Sequence, residues 1–200
     1  MVGRMKIGIS QTGRALPWIL VVGGIIGLLA SADLTVEKMR LLADPDYRPS
    51  CSINPILSCG SVMMKPQAQV FGFANSLMGV VGFTVTTTIG MSLLAGAAFR
   101  RWFWWGLQVG VLFGIGFVHW LIWQSVVEIR TLCPYCMVVW VVMIPTFVYV
   151  TTANLTDGAI LRRTSGFWAS LRRYAWVIVA VWYVVILAVI LVRFPTVLSF

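Results

Sequence analysis

The chain has 200 residues, 60% of them hydrophobic and only 10% charged, with 15 Lys and Arg against 6 Asp and Glu and a formal net charge of +9. Its apolar runs exceed what the core of a soluble domain needs, so the composition excludes a soluble enzyme and describes an integral membrane protein. The excess of basic residues falls in alternate connections between those runs, which makes it a matter of topology and excludes nucleic-acid binding as its cause.

A spanning helix takes about 20 apolar residues, and five runs qualify: Pro17 to Ala32, Ala74 to Ala98, Trp102 to Val127, Leu132 to Ala153 and Tyr174 to Val192. Residues 1–16, polar and mixed, are expected to be a disordered basic leader. The first run carries Gly23 and Gly27 and continues through Ala30-Ser31-Ala32 into Asp33-Leu34-Thr35, which argues against a cleaved signal peptide. Asp33 to Phe73 is the one long outer connection. It opens on Thr35 to Leu42, expected as a short amphipathic helix at the interface, and breaks at Asp44-Pro45-Asp46 and Arg48-Pro49. Cys51 and Cys59 follow, seven residues between them, with Pro55 favouring a bend that returns one to the other. A loop of this length that keeps two cysteines is more than a connection. Val62, Met63, Met64 and Val70-Phe71-Gly72-Phe73 are apolar enough to dip into the membrane surface as a cap.

Asn75 stands at the outer end of the second run. Its amide is costly in hydrocarbon unless bonded, and it reads equally as a helix cap or as a ligand contact. In the third run Trp102, Trp104 and Trp105 form an inner aromatic belt, and Gly106, Gly110 and Gly114, spaced by four, are expected to pack against a neighbouring helix. His119, the only histidine, lies in the outer half with Trp120 and Trp123. A single histidine is a poor metal site, so its functional reading is proton transfer or ligand contact and its structural reading is packing with a bonded imidazole. Pro145 should kink the fourth span. Residues 154–173 form a basic connection, and the valine-rich fifth span, within 174–200, is expected to be accessory.

With the N-terminus in the cytoplasm, the inner side holds Arg4, Lys6, Arg14, Arg100, Arg101, Arg162, Arg163, Arg172 and Arg173 against Asp157 alone. The outer side holds Lys38, Arg40, Arg48, Lys65, Arg130 and Arg193 against five acids. This orientation follows the positive-inside rule and puts all four cysteines on the outer, oxidising face.

Cys133-Pro134-Tyr135-Cys136 opens the fourth span. Residues three apart share a helix face, about 5 to 6 Å between Cβ atoms, within reach of a disulfide. Free N–H groups at a helix N-terminus favour a thiolate, so one of the two sulfurs should be reactive. No metal site is expected, because the two cysteine spacings are not usual ligand spacings and Met137 stands where haem attachment needs His. The alternative is a non-enzymatic membrane scaffold stapled by two disulfides. Position speaks against it: Cys136 lies about 5 Å, one turn, deeper than Cys133, so one sulfur faces the loop and the other faces lipid-soluble molecules.

The order of Cys51-x₇-Cys59, then Asn75 in Phe73-Ala74-Asn75-Ser76-Leu77-Met78-Gly79, then the CxxC resembles the vitamin K epoxide reductase family in its bacterial form, from Trp18 to about Ala153. DsbB-type oxidases carry their CxxC before the wider pair. The resemblance implies an all-α, four-helix transmembrane bundle over residues 17–153 around a quinone of menaquinone or ubiquinone type, the fifth helix lying outside it. By position, Cys133 and Cys136 match the quinone-side pair, Cys51 and Cys59 the loop shuttle, and Asn75 the residue that bonds a quinone carbonyl. Ser61, the only Ser or Thr between Cys59 and Ser76, is the candidate for the family's hydroxyl residue. Trp140 stands where animal enzymes have a tyrosine, and Phe71, Phe73 and His119 complete the candidate quinone contacts. The implied activity is that of a membrane thiol-disulfide oxidoreductase of the bacterial inner membrane. It reoxidises an extracytoplasmic thioredoxin-like (DsbA-like) partner, expected to be a separate protein, and passes the electrons to quinone.

Overall fold

The computed structural model describes residues 6–7, 13–44, 46–54, 56–156, 171 and 173–194. Among the described residues five helices are long and apolar enough to cross a membrane. In chain order the elements are β1 (Lys6–Ile7), α1 (Ala15–Ala43), α2 (Cys59–Met63), a 3₁₀ turn (Pro66–Gln69), α3 (Asn75–Leu94), β2 (Phe99–Arg100), α4 (Arg101–Trp123), a π turn (Gln124–Ile129), α5 (Pro134–Thr156) and α6 (Ala175–Arg193). The result is an all-α multi-span bundle.

Two expectations about the N-terminal third are corrected. β1 pairs antiparallel with β2, Lys6 opposite Arg100 and Ile7 opposite Phe99, so part of the leader is ordered against the α3–α4 turn. Residues 1–5 and 8–12 lie outside the described residues. The separate interfacial helix over Thr35 to Leu42 does not exist, because α1 runs unbroken to Ala43. No Gly or Pro interrupts the chain from Leu28 to Asp44. Thr35, a weak helix former, is held in place: its hydroxyl bonds the Ser31 carbonyl at 2.8 Å and shares a 2.8 Å hydrogen bond with Ser76 of α3.

α1 is the centre of the packing, with α3 on one side and α5 on another; α4 and α6 pack on α5. The α1–α3 seam is made close by glycine. A Cβ on Gly24 would run into the Thr87 side chain and stand 2.9 Å from its backbone nitrogen, and one on Gly27 would meet the Phe83 ring at 2.6 Å. Small residues are what allow such an approach where lipid supplies no hydrophobic drive. Past Ser76, the hydroxyls of α3 are satisfied within the helix: Thr84, Thr86, Thr87, Thr88 and Ser92 each donate to the carbonyl four residues earlier. Gly106 and Gly110 depart from expectation. Neither would meet a neighbour within 4 Å, because α3 and α4 barely touch and a gap runs between them.

The fifth span is more than an addition. Pro145 has no N–H to offer the Val141 carbonyl one turn back, and the Tyr183 hydroxyl of α6 donates to that carbonyl instead. Next to it, Trp182 donates to His119 Nε2 at 3.0 Å, while His119 Nδ1 bonds the Ile115 carbonyl at 2.8 Å. α6 is thus tied to both α4 and α5 by polar contacts.

Candidate redox site

The outer end of α1 first positions the loop. Glu37, buried, accepts hydrogen bonds from the hydroxyls of Tyr47 at 2.9 Å and Ser50 at 3.1 Å, which fixes the segment leading into Cys51. Asn54 Oδ1 then accepts from the N–H groups of Ile56 (2.9 Å) and Leu57 (2.7 Å), turning the chain back. Pro55, expected to make this bend, lies outside the described residues. Ser58 caps α2, its side chain accepting from Ser61 N–H.

From the other side of the sequence comes Arg130, with φ 55° and ψ 37°, a left-handed conformation that turns the chain out of the π turn. Leu132 then forms a parallel bridge with Leu57: Leu132 N–H donates to Ile56 at 2.7 Å and Ser58 N–H donates to Leu132 at 3.0 Å. This bridge sets Cys59 beside Cys133. Glycine adopts the Arg130 conformation without the cost of about 1 to 2 kcal/mol that an L side chain bears there. Arg130→Gly should therefore raise the unfolding midpoint in detergent and Arg130→Val should lower it; the reverse order would mean that the turn does not govern the site.

Cys51 and Cys59 are joined in a disulfide, and Cys133 and Cys136 are free thiols. Cys133 Sγ lies 3.2 Å from Cys59 Sγ. Leu34 and Met63 pack around Cys51, Cys59 and Cys133, so the sulfurs sit in an apolar nest. Cys133 precedes Pro134, the first residue of α5, and its carbonyl accepts from Met137 N–H at 3.0 Å. Its thiol is held below the ordinary range by a hydrogen bond from the Cys136 thiol; burial opposes this, and backbone N–H groups of Cys136 and Tyr135 add to the lowering. A thiol 3.2 Å from a disulfide sulfur is the arrangement thiol-disulfide exchange requires.

Beyond the sulfurs opens a cavity of about 590 Å³, in the size range of small-molecule sites. Cys133 and Cys136 line its outer end. Gly79 and Gly82 of α3 and Gly106, Gly110 and Gly114 of α4 line its walls toward Trp102 and Phe103. Gly82, Gly106 and Gly110, where an added Cβ would meet nothing within 4 Å, leave the gap between α3 and α4 open, while Gly79 and Gly114 sit close against Ser31 and Met143.

A family model described as the vitamin K epoxide reductase family matches residues 18–151. The chain belongs to the vitamin K epoxide reductase family. No curated protein matches it at a significant level. Membership in the vitamin K epoxide reductase family, five spans and a disulfide-capable cysteine set together make it a multi-pass membrane protein equipped for thiol oxidoreduction.

Of the residues expected at a quinone, Asn75 and Trp140 line the cavity with Cys133 and Cys136. Asn75 is neither a cap of its own helix, whose N-cap is Ala74, nor wholly free. Its Nδ2 donates to the Gln67 carbonyl at 2.7 Å and its Oδ1 accepts from Val70 N–H at 3.2 Å, clipping the 3₁₀ turn to α3. One amide hydrogen is left over. Ser61, Phe71, Phe73 and His119 are not brought to the cavity. Cys59, Val62 and Met63 take the inward face of α2, which leaves Ser61 exposed, its hydroxyl donating to Ser58. Phe71 and Phe73 are 50% and 44% exposed beside a turn at Gly72, and Phe71 only reaches the rim residue Phe117, 6.1 Å between rings. His119 faces α6, both nitrogens engaged. Sequence reasoning passed over Lys38, Gln67 and Gln124. All three line the cavity, and each has a buried polar atom without a hydrogen-bond partner, as does Trp140 Nε1.

Proposed function

We propose that the protein carries electrons from an extracytoplasmic thioredoxin-like (DsbA-like) dithiol, through Cys51 and Cys59 and then Cys133 and Cys136, to a membrane quinone, and so supports disulfide formation. The observation that carries this reading is the 3.2 Å contact of Cys133 with the loop disulfide, in a pair whose other member, Cys136, lines the cavity. Of the loop pair, Cys51 keeps 6% exposure and Cys59 none. Cys51 is therefore the sulfur that an outside thiolate reaches first, once the segment held by Glu37 gives way. The partner's second thiol then resolves that mixed disulfide, leaving the partner oxidised and Cys51 and Cys59 as thiols. Once Cys133 and Cys136 have been oxidised to a disulfide, Cys59 attacks Cys133 and expels Cys136, and Cys51 closes on Cys59 and frees Cys133. Each exchange forms one S–S bond and breaks one.

Oxidation of the Cys133 and Cys136 thiols to a disulfide yields two electrons and two protons, which is what a quinone takes up in becoming a quinol. The cavity residues suit such a group. Trp140 Nε1 and Lys38 Nζ are unpaired donors for a carbonyl, Gln67 Oε1 and Gln124 Oε1 are unpaired acceptors for a hydroxyl, and the glycine-lined gap takes a long apolar tail. Separate thiols at Cys133 and Cys136 favour this reading over a scaffold stapled by two disulfides. The charge distribution supports an orientation with the leader and residues 154–173 in the cytoplasm and the cysteines on the outer face of a bacterial plasma membrane.

The test is quinone reduction by the purified protein in lipid nanodiscs, driven by a reduced thioredoxin-like protein and followed by quinone absorbance. Turnover is expected, and each of Cys59→Ser, Cys133→Ser and Cys136→Ser should lower it by at least about a thousandfold, as removal of a covalent step does. Retention of turnover in Cys136→Ser would remove the cavity from the pathway.

A further inference from the structure

Lys38 is the one charged residue among the described residues that line the cavity. It lies on α1 one turn beyond Leu34. Leu34 and Leu41 both pack on the sulfur cluster, so the face carrying 34, 38 and 41 is the one turned toward Cys59 and Cys133. Lys38 is 5% exposed, and its Nζ has no hydrogen-bond partner. The neighbouring Glu37 is turned to the loop, with one carboxylate oxygen taken by Tyr47 and the other by Ser50. An ammonium buried without an acceptor is costlier than any other unpartnered polar group lining the cavity. An oxygen-bearing ligand in the cavity removes that cost.

Resting on the quinone reading above, we propose that Lys38 is a catalytic residue: its ammonium binds the ring oxygen on which negative charge builds as the dithiol is oxidised, and supplies that oxygen with a proton. The balance closes. Cys133 and Cys136 lose two electrons and two protons as their S–S bond forms, and the ring gains both electrons. Lys38 delivers one proton and is restored by one of the two that the thiols release, while the other thiol proton goes to the second oxygen. Trp140 Nε1 is neutral and Asn75 is half engaged by Gln67, so neither can meet a developing charge as Lys38 can.

Two rings of nearly equal size separate charge recognition from simple fit: a neutral dimethylnaphthoquinone, and a methylhydroxynaphthoquinone that is an anion at pH 7. Binding to the full chain in nanodiscs is read by quenching of tryptophan fluorescence. The unaltered protein is expected to prefer the anion, and Lys38→Met should weaken the anion at least about tenfold more than the neutral ring, the scale of a hydrogen bond to a charged group. Lys38→Arg should retain the preference, which separates charge from damage to the fold, and melting curves check that each variant is folded. In turnover with the neutral ring, Lys38→Met should lower kcat more than it raises KM. Equal weakening of both rings in Lys38→Met, with both binding the unaltered protein, overturns the role of Lys38 and leaves the quinone reading standing. Failure of both rings to bind the unaltered protein overturns the two together.

Discussion

In Cys136→Ser, the main linked peptide recovered without reduction is expected to join Cys59 to Cys133, with Cys51 released as a free thiol. The two sulfurs are already 3.2 Å apart, and Cys59 is already in a disulfide with Cys51. Attack by Cys133 on Cys59 expels Cys51. In the unaltered protein Cys136 competes for Cys133 and resolves the mixed bond; in the variant Cys51 alone can do so. Enrichment of the Cys59–Cys133 peptide by at least about tenfold is expected from loss of that resolving step. With Cys51 replaced by Ser as well, joining Cys59 to Cys133 takes an added disulfide oxidant, and the bond so formed should yield only to an added reductant. Mass spectrometry of alkylated peptides reads the linkage directly. A Cys136→Ser protein that keeps Cys51–Cys59 and shows the Cys59–Cys133 peptide only at background would refute the order of exchange.

Gly24→Val should be the most damaging change in the membrane interior. Its first added carbon would collide with the side chain of Thr87 and press on the backbone nitrogen at 2.9 Å and Cα at 3.1 Å. Backbone cannot yield as a flexible side chain can, so α1 and α3 must separate along their whole seam. A loss of about 3 kcal/mol or more, the upper range for overpacking, is expected together with poor recovery from the membrane. Gly106→Ala, where nothing stands within 4 Å, should melt within about 0.5 kcal/mol of the unaltered protein, the usual span for a site without neighbours. Equal melting of Gly24→Val and Gly106→Ala would mean that the α1–α3 seam is not close-packed.

The spans were legible because hydrocarbon imposes one rule on every residue of a crossing helix, and composition alone records it. Cys133 and Cys136 were legible because their pairing is local. What spacing could not convey was contact between distant segments: the Leu57–Leu132 bridge that aligns Cys59 with Cys133 leaves no periodic trace in either segment. Ser61, Phe71 and Phe73 were drawn to the site by closeness in sequence to Cys59 and Asn75, yet the inward face of α2 and the turn at Gly72 send them elsewhere. Lys38 was counted as an outer loop charge, because a lysine after Asp33 and Glu37 reads as solvated until α1 is seen to continue past it. The glycines of α4 have the spacing of a packing seam whether a helix or a cavity lies against them.

The bond between Tyr183 and the Val141 carbonyl sets an order on biogenesis. A ribosome delivers α4 and α5 before α6, so this carbonyl, orphaned by Pro145, and the imidazole of His119 enter the bilayer ahead of the tyrosine and tryptophan that complete them. Until then, the nascent chain presents two wet spots to lipid, each costing free energy in hydrocarbon. Arrival of the last helix dries both in one step, which makes α6 the closing latch of assembly.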